Sequence, residues 1–102
     1  MAVVSITKDN FAAEVLESDK PVLLDFYATW CGPCRMVSPL VDEIAEEHPE
    51  YTVGKIDVDA EGELAQQFGI VSIPTLVAMK GGTIVRRTVG YAPKEDLLAM
   101  ME

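Results

Sequence analysis

The chain holds two cysteines, Cys31 and Cys34, three positions apart in the run WCGPCR. Such a pair can serve as a structural staple, as half of a metal site, or as a dithiol that cycles with its disulfide. On a helix, Cβ atoms at i and i+3 lie about 5–6 Å apart, so the bond can form locally with little adjustment. A staple gains most by closing a long loop, and a ring this short restrains little of the unfolded chain. A zinc site usually needs four ligands, and beyond the pair the chain offers one histidine, His48, far along the same helix.

The redox reading uses the context as well as the spacing. Cys31 falls at the expected N-terminus of a helix, where free N–H groups and the helix dipole favour a thiolate over a thiol. An unperturbed thiol of pKa about 8.5 is only about 3% ionised at neutral pH, and a pKa near 7 raises that fraction roughly sixteenfold. Intrinsic nucleophilicity falls at the same time, so the net gain in attack is only about threefold. The tuning must also serve leaving-group ability and the stability of the dithiol form.

Elements that could position the pair follow from the hydrophobic periodicity. AVVSI reads as a short strand, and Thr7, Asp9 and Asn10 open a helix carrying Phe11, Ala12, Val15 and Leu16. PVLLDFYA is too continuously apolar for a half-exposed strand and fits a central one covered on both faces. It opens directly into WCGPC. Met36, Val37, Leu40, Val41, Ile44 and Ala45 then form the apolar stripe of a long helix, which Pro39 should kink rather than end. YTVGKIDVD is a third strand, followed by a short helix capped by Asp59 and stopped at Gly69. TLVAMK and TIVRRTV form an antiparallel hairpin around Gly81 and Gly82, and PKEDLLAMME closes as a helix with proline in its first turn and a poor cap, Ala92. The order βαβαβαββα, with right-handed crossovers, is an α/β architecture: a central mixed β-sheet flanked by helices on both faces.

Composition narrows the partners. With 49% hydrophobic residues, the 102-residue chain can build one cored domain over residues 1–102 without staples. Eight Lys and Arg against 17 Asp and Glu give a net charge of −9, which opposes nucleic acid and anionic membrane surfaces. No run approaches the roughly 20 apolar residues of a membrane span, and MAVVSITKDN lacks the basic and apolar segments of a leader. Two cysteines are also few for a secreted disulfide scaffold, so the expected compartment is the cytoplasm.

Taken together, DFYATWCGPCRM, Lys55, the IPT of residues 73–75 and the VGY of residues 89–91 resemble the thioredoxin family over nearly the whole chain. The resemblance implies a thioredoxin fold and reduction of protein disulfides. In that scheme Cys31 attacks the substrate, Cys34 resolves the mixed disulfide, and Asp25 is the buried acid assisting Cys34. Read alone, Asp25 could equally be a paired structural acid, with Lys55 on the neighbouring strand its expected partner, and Lys55 by itself reads as a solvated strand charge. Pro74 matches the family's cis-proline facing the cysteines, with the Ile73 backbone turned towards an extended substrate. Trp30, Gly32, Pro33, Ile73, Pro74 and Gly90 would form the docking surface around Cys31. Arg35 keeps a basic residue beside the site, while Tyr27 and Ser72 depart from the common tryptophan and glycine and bear on partner choice.

The resemblance further implies a monomer with no cofactor or metal of its own, re-reduced by an NADPH- or ferredoxin-dependent thioredoxin reductase. Ribonucleotide reductase, peroxiredoxins and methionine sulfoxide reductases are the implied substrates. No Gly-rich nucleotide fingerprint is present. The rival readings are an oxidase or isomerase running the same exchange in reverse, and a non-catalytic module that grips a partner through the same surface.

Overall fold

The computed structural model describes residues 2–102. Five strands form one sheet in the spatial order β1-β3-β2-β4-β5: β1 is Val3–Ser5, β2 Val22–Tyr27, β3 Thr52–Asp57, β4 Thr75–Lys80 and β5 Thr83–Val89. β3 runs parallel to β1 and β2, and β4 is antiparallel to both β2 and β5, so the sheet is mixed as expected. Alternation along β2 divides the core. Leu23 joins Val53, Leu76 and Ala78 under α1 (Gly32–Glu47) and α3 (Lys94–Ala99). Val22, Leu24 and Phe26 face the other way, against Val15, Leu64 and Phe68 from the opposite layer, which includes α2 (Gly62–Gln67). A strand covered on both faces has no use for alternating polarity, which is why VLLDFY is almost wholly apolar. By the same alternation Asp25 lies on the α1 side.

α1 runs through the exposed Pro39 to Glu47; of its expected stripe Val37, Val41, Ile44 and Ala45 are buried and Leu40 is half-buried, while Met36 stands 62% exposed. Three local expectations need correction. Ala12–Leu16 coils as a π-helix rather than an α-helix, with Glu17 N–H donating to Ala12 O at 2.9 Å. The wider turn keeps Val15 fully buried while Phe11 meets Phe68 edge-on, with ring centroids 5.7 Å apart. Asp59 does not cap α2, whose N-cap is Glu61, because Asp57 closes that turn by accepting from Asp59 N–H at 2.9 Å. Pro93 occupies the N-cap of α3 rather than its first turn, and Ala92 before it is buried in the core. Burial outweighs capping at that position. The β4–β5 turn is as expected, with Gly81 and Gly82 at φ +56° and +79°.

The close approach of β3 to its cover requires Gly54. A Cβ there would sit 2.6 Å from Ile6 Cγ1, and Ile6 is only 1% exposed, so it has nowhere to swing. Gly54→Ala should therefore cost about 1–3 kcal/mol through overpacking. In an Ile6→Ala background the added methyl should cost measurably less, and urea denaturation of the four-member cycle reads this coupling directly. Simple additivity would contradict the assigned contact.

Candidate active site

After Tyr27 the chain leaves the sheet through Ala28, Thr29 and Trp30, and α1 begins at Gly32 with Pro33 in its first turn. Proline is tolerated there because its missing N–H would have no helical acceptor. Cys31 thus becomes the N-cap, with extended backbone angles (φ −88°, ψ 117°). A cap normally offers an oxygen to the free N–H groups. Here sulfur fills that role: Cys34 N–H donates to Cys31 Sγ at 3.2 Å. The two cysteines are joined as a disulfide, with Cα atoms 5.3 Å apart. Both are largely covered, at 5% and 3% exposure, so a partner must fit closely to reach Cys31.

The facing wall comes from the loop before β4. Ile73 O lies 3.8 Å from Cys31 Sγ, and the Ile73–Pro74 bond is cis. The loop is tied at two points: Thr75 Oγ1 donates to Ser72 O at 2.6 Å, and Gly90 N–H donates to Pro74 O at 2.8 Å. Gly90 holds φ +90°, a conformation glycine adopts without a Cβ penalty. On the other side, Gly32 and Pro33 are exposed and Trp30 is 67% exposed, its indole Nε1 donating to Asp59 Oδ2 at 2.8 Å. That bond holds a large ring in the open. Of the expected docking residues, Ile73 meets Cys31 directly, Gly90 is tied to Pro74 beside it, and Trp30, Gly32 and Pro33 flank Cys31 along the chain.

Asp25 on β2 is buried at 1% exposure, and neither carboxyl oxygen accepts a hydrogen bond from any described residue. Lys55 is its register neighbour on β3. The expected direct pair is not made, however: Lys55 Nζ donates to Ser38 Oγ at 2.5 Å and lies 2.8 Å from Asp42 Oδ1, both on α1. The Asp42 side chain is 56% exposed, so the ammonium keeps a wet partner instead of being dragged into the core. Burial pushes the Asp25 carboxyl from 3.8 up to about 7; the Lys55 charge pulls it back down and Asp42 pushes it further up. A cavity of about 260 Å3 is lined by Tyr27, Ala28, Thr29, Cys34, Arg35 and Ser38. Arg35 fastens the lip by donating to Thr29 O at 2.9 Å.

Sequence reasoning missed Ser38 and Asp42 and gave Asp59 a different task, the capping of α2. The bond from Asp59 to Trp30 carries no sequence signal, since the two are 29 residues apart. Ser38 and Asp42 do carry one: they follow Cys34 at four-residue steps, which stacks all three along one side of α1. Among the described residues no group of three or more His, Cys, Asp or Glu side chains is placed to hold a metal ion.

A carboxyl raised by burial makes stability depend on pH. Between 3.8 and about 7 the folded state binds a proton that the unfolded state lacks, so stability is full below that window and falls as pH rises through it. Asp25→Asn carries no charge and escapes the loss. In urea denaturation of the oxidised protein its advantage over the parent should grow from near zero at pH 4 to about 3–4 kcal/mol at pH 8. A difference that stays constant with pH would mean the ionised carboxylate is not the source.

The thioredoxin family profile matches residues 2–102. A thioredoxin of Alicyclobacillus acidocaldarius subsp. acidocaldarius is 50% identical over 101 residues, covering 98% of this chain and 95% of its own. A bifunctional thioredoxin reductase/thioredoxin of Mycobacterium leprae (strain TN) is 51% identical over 96 residues, 93% of this chain but 21% of that longer protein. Among solved structures, a mutant thioredoxin from Halobacterium salinarum NRC-1 superposes with a TM-score of 0.89 at 35% identity, covering 97% of this chain and 87% of that one. A sulfur-capped helix carrying a bonded Cys31–Cys34 pair, on this sheet and with these relatives, has one meaning: the chain belongs to the thioredoxin family of protein-disulfide oxidoreductases.

Proposed function

We propose that the protein works in the reducing direction, donating two electrons from the Cys31–Cys34 dithiol to disulfides of partner proteins. The thioredoxin relatives at about 50% identity support that direction, and the Cys34 N–H aimed at Cys31 Sγ at the start of α1, which favours negative charge on that sulfur, is the observation that supports Cys31 as the attacking one. Cys31 thiolate attacks a substrate sulfur, breaking the substrate S–S bond and releasing one substrate thiolate, which takes a proton from water. The Cys34 thiol then passes its proton to Asp25, and its thiolate attacks Cys31 Sγ. That breaks the mixed disulfide, releases the second substrate sulfur as a thiolate that takes a proton from water, and leaves the bonded pair, Asp25 returning its proton to solvent. An acid raised to about 7 suits this proton transfer, because it is neither always ionised nor always protonated near neutral pH.

Lys55 moderates the cost of ionising Asp25 from β3. Trp30, Gly32, Pro33, Ile73, Pro74 and Gly90 form the docking surface, where an extended substrate segment lies against the Ile73 backbone and proline brings no competing N–H to the sulfurs. Re-reduction falls to a thioredoxin reductase using NADPH or ferredoxin; the fusion of both activities in the Mycobacterium leprae relative's name supports that pairing. Ribonucleotide reductase, peroxiredoxins and methionine sulfoxide reductases are the proposed substrates and the cytoplasm the proposed compartment, where thiols are kept reduced. No described helix is long and apolar enough to cross a membrane.

Stalling the resolving step tests the scheme. Cys34→Ser, mixed with disulfide-containing proteins, should accumulate adducts through Cys31 that dithiothreitol releases. If a folded variant traps nothing, the exchange chemistry assigned to Cys31 is wrong.

A further inference from the structure

The Lys55 ammonium faces the buried acid from β3, yet what fixes its position belongs to α1. Of its two contacts there, Asp42 is a largely exposed carboxylate, free to be hydrated and screened. Ser38 Oγ is the half-buried one, at 2.5 Å, one helical turn beyond Cys34 and on the wall of the same cavity. We propose that Ser38 is a positioning residue for the resolving step: its hydroxyl pins the Lys55 ammonium against α1 and thereby sets the cation that Asp25 faces.

The groups around Asp25 make the direction of the effect definite. Lys55 faces it from β3 and Asp42 from α1, β4 places the neutral Leu76 in register, and Tyr27 follows on its own strand. Arg35 is committed to Thr29 O at the cavity mouth. Lys55 is therefore the cation that offsets the buried charge. Without the serine hydroxyl, the one acceptor left to Lys55 among these contacts is Asp42, and an exposed carboxylate draws the ammonium outward into water. A cation further off and better hydrated supports Asp25 ionisation less. The same serine keeps a hydroxyl proton of its own to donate, since the bond from Lys55 uses only a lone pair.

The inference rests on the proton-acceptor role given to Asp25, so the experiment separates the two. In the oxidised protein, the Asp25 carboxyl is titrated by carbon NMR in the parent, Ser38→Ala, Ser38→Thr, Lys55→Met and the Ser38→Ala/Lys55→Met pair. Alanine is the better helix former, so Ser38→Ala should stay folded. Its midpoint should rise by about half a pH unit, a roughly threefold gain in proton affinity. Ser38→Thr, which keeps the hydroxyl, should return towards the parent, and Ser38→Ala should have no effect once Lys55 is methionine. A Ser38→Ala midpoint that is unmoved or lower, or an effect that survives in Lys55→Met, would overturn the assignment. The pH profile of mixed-disulfide release, measured on the same variants, should follow the NMR midpoints. If the NMR midpoint moves and the release profile does not, the role of Asp25 fails while the Ser38–Lys55 link stands.

Discussion

Everything at the site depends on a sulfur occupying the place of a helix cap. The first N–H groups of any α-helix lack internal acceptors, and Cys31 Sγ accepts the one from Cys34. Such a cap works only if the helix start cannot drift. α1 is held by its buried stripe of Val37, Val41, Ile44 and Ala45 against Leu23, Val53 and Leu76 of the sheet. The packed stripe fixes where the cysteine end lies. A single helix thus positions Cys31 at its cap, Cys34 one turn further in, and the polar residues that reach Lys55.

The same architecture buries an unfavourable residue in its central strand. β2 is covered on both faces, so any polar side chain within it is desolvated, and Asp25 lies there without a hydrogen-bond donor among the described residues. Its raised pKa and its destabilising charge at high pH have one origin. A protein selected for stability alone would do better with leucine at this position, continuing the pattern of Leu23 and Leu24. The Lys55 contacts fit this compromise. A direct ion pair would hold Asp25 ionised and make it a poor acceptor near neutrality, whereas a cation tied to Ser38 and Asp42 softens the burial without cancelling it.

Much of this was legible in the chain. The strands and the places of the helices followed from period, the hairpin from paired glycines, and the cysteine chemistry from spacing plus the helix it opens. What escaped detection was decided between elements distant in sequence. Asp59 has the composition of a cap, and only the fold shows that it serves the indole of Trp30 instead. Lys55 and Asp25 are register neighbours, so their proximity could be anticipated, but the acceptors that win Lys55 come from a helix lying across the sheet. The π-helix reflects how Phe11 and Val15 must both meet the core, a demand of packing that local propensity does not encode.

A general disulfide reductant needs a sticky, undemanding surface, and that need conflicts with solubility. Trp30 is 67% exposed, and Val71, Val89 and Tyr91, which adjoin the segments tied around Cys31, are 95%, 58% and 50% exposed. Apolar groups so displayed would favour contact between copies of the chain as readily as contact with substrate. The net charge of −9 resolves the conflict at close range. With a screening length of about 8 Å at physiological salt, repulsion between two copies is negligible until their surfaces nearly touch, and it acts at the separation where apolar docking would begin. Substrates of neutral or basic character meet no such barrier. The acidity that opposes association with nucleic acid therefore also opposes association between copies of the chain.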